Sequence, residues 1–168
     1  MRLYIAEKPS MARAIADELG AKGKKEGYIE VRDGVVSWCV GHILGQAPPD
    51  AYDPRYKEWN EKDLPLIPER WKLIIGKGMS GQLGVLKKLI GEASEIVNAG
   101  DPDREGQLIV DEVLEHLGNK KPVRRLWLSS LDSKSVREAL SSMKSNADPV
   151  YVALRESAVA RSRADWLV

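Results

Sequence analysis

The chain has 168 residues, enough for one sizeable domain with its own core. Apolar residues at 43% and charged residues at 30% exclude a disordered or fibrous chain. A net charge of +1 excludes a global positive field, so any nucleic-acid contact must come from local patches.

Residues 2–6 read as a short buried strand. Pro9 suits a first helical turn, with Ser10 or a residue just before it as the cap. Met11, Ile15 and Leu19 recur every four residues, and Gly20 ends that helix. The basic run Lys22-Gly23-Lys24-Lys25 reads as a loop. Residues 28–31 and 35–40 flank Asp33-Gly34, a hairpin signal. Cys39 is the sole cysteine, which excludes an internal disulfide and a cysteine-based zinc cluster. Its apolar neighbours make it a small buried residue and not a nucleophile.

Residues 41–70 carry Pro48, Pro49, Pro54, Pro65 and Pro68 and read as a long irregular loop, usually functional or an insertion. Residues 71–75 suit another strand. Residues 80–92 suit a helix with Leu83, Leu86, Leu89 and Ile90 on one face. A strand over 95–99, a helix over 104–117, a strand over 123–128 and a helix over 132–143 follow, the last capped by Asp132 or Ser133. Residues 149–168 form a final helical pattern. It stops at Ala164-Asp165-Trp166-Leu167-Val168 without a stop signal, as expected of a fragment. No apolar run approaches the roughly 20 residues that span a membrane. Glu7 and Lys8 interrupt any signal-peptide core, so a cytoplasmic location and no membrane contact are expected.

Strand–helix alternation at this spacing implies an α/β fold, a Rossmann-like, mostly parallel sheet flanked by helices. Ligands bind such sheets at the carboxyl ends of the strands. That rule puts Glu7, after the first strand, on the same rim as Asp101, after the 95–99 strand. In Gly100-Asp101-Pro102-Asp103-Arg104-Glu105-Gly106-Gln107, three carboxylates alternate on a turn that enters a helix. They can converge on a magnesium ion with waters and phosphate oxygens. They equally suit a polar turn with Asp103 as a helix cap and Arg104 as a surface ion-pair partner. Glu7 can move a proton to a leaving oxygen or hold metal, and Lys8 can neutralise a phosphate. Both also suit the start of a solvated helix. His42 can donate to a phosphate or a carboxylate, or simply satisfy its loop. Lys87-Lys88, Lys120-Lys121 and Arg124-Arg125 read as solvated faces, and His116 has no assigned role. Arg155, Arg161 and Arg163 on the last helix can contact a DNA backbone.

Three motifs carry a resemblance: Ile5-Ala6-Glu7-Lys8-Pro9-Ser10, Gly41-His42-Ile43-Leu44, and Ala99-Gly100-Asp101-Pro102-Asp103-Arg104-Glu105-Gly106-Gln107. Together with residues 38–52 and 160–167, they resemble the Toprim domain of type IA DNA topoisomerases, nearest the bacterial topoisomerase III branch. The resemblance covers nearly the whole chain. It implies a Toprim domain over 1–147, with 148–168 opening a truncated helical DNA-binding domain. It also implies an isomerase that cuts one DNA strand through a tyrosine, forming a 5′-phosphotyrosyl link, passes another strand and reseals. Glu7 would be the catalytic glutamate near the leaving 3′-oxygen, and Lys8 would stabilise the scissile phosphate. Glu7, Asp101, Asp103 and Glu105 would form the Mg2+ site. Arg104 and Gln107 would support the cluster, with His42 near it. The partners implied are single-stranded DNA and the remaining topoisomerase domains in cis. None of Tyr4, Tyr28, Tyr52, Tyr56 or Tyr151 matches the family's nucleophile, so the chain would hold half an active site and be inactive alone.

Two other readings stay open: a Toprim-type magnesium-dependent nuclease or primase module, and a non-catalytic DNA-binding module. A primase would carry an upstream zinc segment, and a nuclease would need water as its nucleophile.

Overall fold

The computed structural model describes residues 1–168. Its strands are β1 (Arg2–Ala6), β2 (Gly23–Lys25), β3 (Tyr28–Val31), β4 (Gly34–Trp38), β5 (Leu44–Gln46), β6 (Leu73–Ile75), β7 (Glu95–Ala99), β8 (Val123–Arg125) and β9 (Lys144–Ser145). Its helices are α1 (Pro9–Glu18), α2 (Ser80–Glu92), α3 (Arg104–His116), α4 (Ser133–Ser141) and α5 (Pro149–Leu167).

The main sheet runs β2-β3-β4-β1-β7-β8-β9. Its centre, β4-β1-β7-β8, is parallel, and β2, β3 and β9 extend it with antiparallel pairings. Side chains alternate across β1, and both faces are apolar. Leu3 and Ile5 join a core with α2 and α3, through Leu86, Leu89, Val110 and Val113. Tyr4 and Ala6 join a second core with α1 and α4, through Met11, Ile15 and Val136. Each buried Leu or Ile contributes roughly 1.5–3 kcal/mol, so β1 is held from both sides. This fixes the central strand ends, on which the site depends.

The expected strands and helices form, with local differences. The basic run 22–25 is not a loop: β2 pairs with β3, Lys24 opposite Ile29. An edge strand with lysines pointing outward is stable and resists pairing with other chains. Ser10 does not cap α1; the cap position is Lys8, which makes no side-chain cap bond. At α4 the cap is Asp132, whose side chain accepts the Ser135 N–H at 3.0 Å. β8 is shorter than the expected 123–128: its register with β7 ends at Arg125, although the Leu126 N–H still donates to the Asn98 carbonyl at 2.9 Å. Within 41–75, β5 and β6 pair with each other in a separate small sheet. Three single-turn 3-10 segments lie between them, at Pro49–Ala51, Pro54–Lys57 and Glu61–Asp63.

α5 packs along α3 and reaches β5. Near its end, Trp166 meets Tyr52 and Trp71 edge-on, with centroids 5.7 and 5.3 Å away. Its Nε1 donates to the Ala47 carbonyl at 2.8 Å. One side chain thus fastens the 3-10 segment to the body. No helix is long and apolar enough to cross a membrane.

Candidate active site at the carboxyl rim of the sheet

β1 and β7 are parallel neighbours with Ala6 opposite Ala99, so both deliver their next residues to one rim. There Glu7 Oε2 accepts the Asp101 N–H at 3.1 Å. Lys8 Nζ donates to Asp101 Oδ2 at 3.2 Å. The chain leaving β4 follows the same edge, with Cys39 N–H donating to the Ala6 carbonyl at 2.8 Å and Gly41 N–H to the Glu7 carbonyl at 3.2 Å. Gly41 has φ 62°, a turn that favours glycine and delivers His42 to the rim. His42 lies between two carboxylates, with Nδ1 2.8 Å from Glu112 and Nε2 3.3 Å from Glu105. Asp103 caps α3, its Oδ1 accepting the Gly106 N–H at 2.7 Å.

The electrostatics follow from these contacts. Burial raises the Glu7 pKa, the Asp101 N–H opposes this, and the charges of Asp101 and Asp103 reinforce it. Glu7 therefore keeps a proton to higher pH than an ordinary glutamate, as a proton donor requires. The hydrogen bond to Asp101 raises the Lys8 pKa and holds its charge. The hydrogen bond to Glu112 raises that of His42. Burial pushes the Cys39 thiol up to about 12, so it is inert at neutral pH.

The donor set suits a hard cation. It consists of carboxylate oxygens, and Asp101 Oδ1 is buried with no hydrogen-bond partner. The expected convergence is only partial, however. Glu7 and Asp101 meet, but no three Asp, Glu, His or Cys side chains stand together as a metal shell. Like charges repel, and each acid has found its own donor: Asp103 the helix end, Glu105 His42.

Two further expectations are corrected. Arg104 does not hold the acidic cluster: its Nη1 donates to Ser157 on α5 at 3.4 Å and forms no ion pair. Arg125 is not on a solvated face but fully buried. Its Nη1 donates to the carbonyls of Gly100 and Leu126, both at 2.8 Å, and of Asn98 at 3.2 Å. Its Nη2 donates to the Asp101 carbonyl, and its Nε to Gln107 Oε1, both at 2.7 Å. Burial lowers its pKa to about 10, so it stays charged. Arg124 also turns inward, donating to the Met143 carbonyl at 2.6 Å. Lys121 caps the end of α2 through the Ile90 and Gly91 carbonyls.

Gln107, expected to support the cluster, is buried behind the turn and donates to Asp111 and Asn146. Asn98 donates to Asp111 and to the Gln107 carbonyl. The acidic turn then folds directly onto the start of α3. A Cβ on Gly100 would lie 2.0 Å from the Gly106 carbonyl oxygen, and one on Gly106 2.3 Å from that of Asp101. The last-helix arginines are engaged within the chain. Arg155 pairs with Glu115, Arg161 with Asp165 at 3.6 Å, and Arg163 lies over Trp71 at 5.2 Å. Arg155 and Arg163 also line a cleft of about 610 Å³ between α3, α5 and the small sheet.

A parallel sheet whose central strands end on a glutamate and an Asp-Pro-Asp-Arg-Glu turn defines a class, and the family model described as Toprim domain matches residues 2–131. The chain belongs to this family. It is 54% identical to DNA topoisomerase 3 of Vibrio cholerae serotype O1 and 50% identical to DNA topoisomerase 3 of Salmonella typhimurium, each over 99% of this chain and 26% of that protein. The fold is similar to that of full-length topoisomerase I from Thermotoga maritima, with TM-score 0.60 and 22% identity, over 99% of this chain and 24% of that one. The chain thus spans about a quarter of the length of the relatives it matches.

Proposed function

We propose that this chain is the Toprim part of a type IA DNA topoisomerase of the topoisomerase 3 kind. In the longer protein it supplies half of a site that cuts and reseals one DNA strand. The observation that carries this reading is the Glu7–Asp101–Lys8 contact at the rim, where a carboxyl whose pKa is raised by burial stands beside a lysine paired to Asp101. Identity over 99% of this chain to proteins named DNA topoisomerase 3 favours it over a nuclease, a primase or a non-catalytic module.

In this reading a tyrosine from another domain, its phenol proton released to water, attacks the phosphorus, and the 3′-oxygen leaves with a proton from Glu7, which is left as the carboxylate. Lys8 meets the phosphate charge as it develops, and Asp101 holds Lys8 in place. His42 orients Glu105 from the side. Asp101, Asp103, Glu105 and Glu7 would hold Mg2+, which would supply charge neutralisation at the phosphate. DNA, single-stranded at the site, is the partner, and the location is cytoplasmic. We place the domain boundary at 147/148, with 148–168 leading into the following helical domain. The main sheet's last strand, β9 (Lys144–Ser145), ends just before it, which supports this reading. Arg161 and Arg163 remain candidates for DNA contact. Arg155 is a third, and both Arg155 and Arg161 would have to leave a carboxylate, Glu115 and Asp165, to make that contact.

The test is relaxation of negatively supercoiled DNA with magnesium by the longer protein. Glu7→Gln should abolish it while DNA binding persists. Relaxation at the parent rate would overturn the reading.

A further inference from the structure

We infer that Arg125 is a positioning residue for the rim site, acting through the backbone of the acidic turn. This rests on the reading of Glu7 and Asp101 as the reacting pair. Arg125 is fully buried and does not reach the acidic carboxylates through its own atoms. Its guanidinium instead gathers the carbonyls that lead into the turn, those of Asn98, Gly100 and Asp101. The Asp101 carbonyl is bound on one side by Arg125 and on the other by the Asp103 N–H at 2.8 Å. The N–H of that same residue donates to Glu7. That N–H shares its peptide unit with the Gly100 carbonyl, which Arg125 also binds, so fixing this unit fixes the distance between Glu7 and Asp101.

The geometry needs a planar fork. Nε is committed to Gln107 Oε1, while Nη1 and Nη2 reach different carbonyls. A lysine carries the charge but has one nitrogen and cannot span these acceptors. The arginine is itself held flat, stacked 4.9 Å over Trp127, which stacks on Tyr151 of α5 at 5.6 Å. Asn98 tightens the same turn by accepting the Gly100 N–H at 3.0 Å. The Gly100 and Gly106 close approaches leave the turn no slack, so a shift of one carbonyl moves the whole segment.

Amide hydrogen exchange on the 168-residue chain tests this without DNA or activity, so it stands or falls separately from the topoisomerase reading. In Arg125→Lys, the Asp101 and Gly100 amides should exchange roughly tenfold faster or more, since a hydrogen bond to a charged group is lost. Amides of β4, α1 and α2 should keep their parent rates. Val136→Ala, a core truncation away from the turn, provides the contrast and should raise exchange broadly. Arg125→Met should open the same two amides; where it does not fold, Arg125→Lys decides. Parent-like exchange at Asp101 in Arg125→Lys would overturn the proposal, as would a rise spread evenly over the sheet.

Discussion

His42 shows how one side chain couples the rim to α3. Its ring sits 2.8 Å from Glu112, a buried carboxylate, and 3.3 Å from Glu105. The folded-state pKa is raised above the ordinary 6.5, chiefly by the Glu112 hydrogen bond. Its stabilisation is therefore complete below the unfolded value and fades as pH rises through the higher folded value. His42→Gln should lose stability relative to the parent at pH 6 and lose less at pH 9. Urea unfolding at the two pH values measures this, and an equal loss at both would show that the pair is not ionic. Lys8 is about as exposed as His42 but has one carboxylate partner, Asp101, in place of two. In the longer protein Lys8→Ala should slow cleavage roughly 100-fold, the usual effect of removing one group that meets developing charge. DNA affinity should barely change, because one lysine is a small share of many phosphate contacts. Filter binding and single-turnover cleavage separate the two, and equal losses in both would make Lys8 a general phosphate contact.

At the scale of elements, α3 begins on a residue with two duties. Asp103 caps the helix by accepting the Gly106 N–H, and it is also a candidate magnesium ligand. Asp103→Ala should cost about 1 kcal/mol for the lost cap. Asp103→Asn keeps an acceptor and should fold nearly as well, but its magnesium-dependent thermal shift should shrink. A shift as large as the parent's would remove Asp103 from the ion site. The strand ends that carry Glu7 and Asp101 were legible in sequence, because apolar runs stop abruptly at acids and parallel sheets place ligands at carboxyl ends. The hairpin at Asp33-Gly34 was legible for the same local reason. Arg125 was not. A charged residue in an apolar strand reads as outward-facing, and its burial depends on carbonyls 25 residues or so away in sequence. One signal was available: an arginine between Val123 and Leu126, within a run that continues Trp127-Leu128. The separate small sheet was also hidden, since β5 and β6 pair across the whole proline-rich segment.

At the scale of the molecule, the proposed reading makes this chain a rim whose nucleophile lies elsewhere. Each tyrosine is otherwise placed. Tyr4 and Tyr151 are buried, Tyr28 packs against the core, and the Tyr52 hydroxyl accepts from Lys72 N–H and that of Tyr56 from Arg55. None hydrogen-bonds Glu7, Lys8 or Asp101. The rim also has acids and few free cations, and a net charge of +1 gives DNA no strong field to follow. Relaxation further needs a gate that holds both broken ends while a strand passes. The relatives named DNA topoisomerase 3 are about four times as long as this chain, which leaves room for such a gate elsewhere. The 168-residue chain alone should therefore neither relax negatively supercoiled plasmid nor become linked to a 5′-phosphate, at any magnesium concentration that leaves it folded. Agarose gels for topoisomers and a labelled-DNA transfer assay for the adduct measure both. Adding the remaining segment of the longer protein in trans should restore some relaxation if the rim is the missing half. Robust relaxation by the chain alone would mean that one of its tyrosines leaves its present partner to reach the rim.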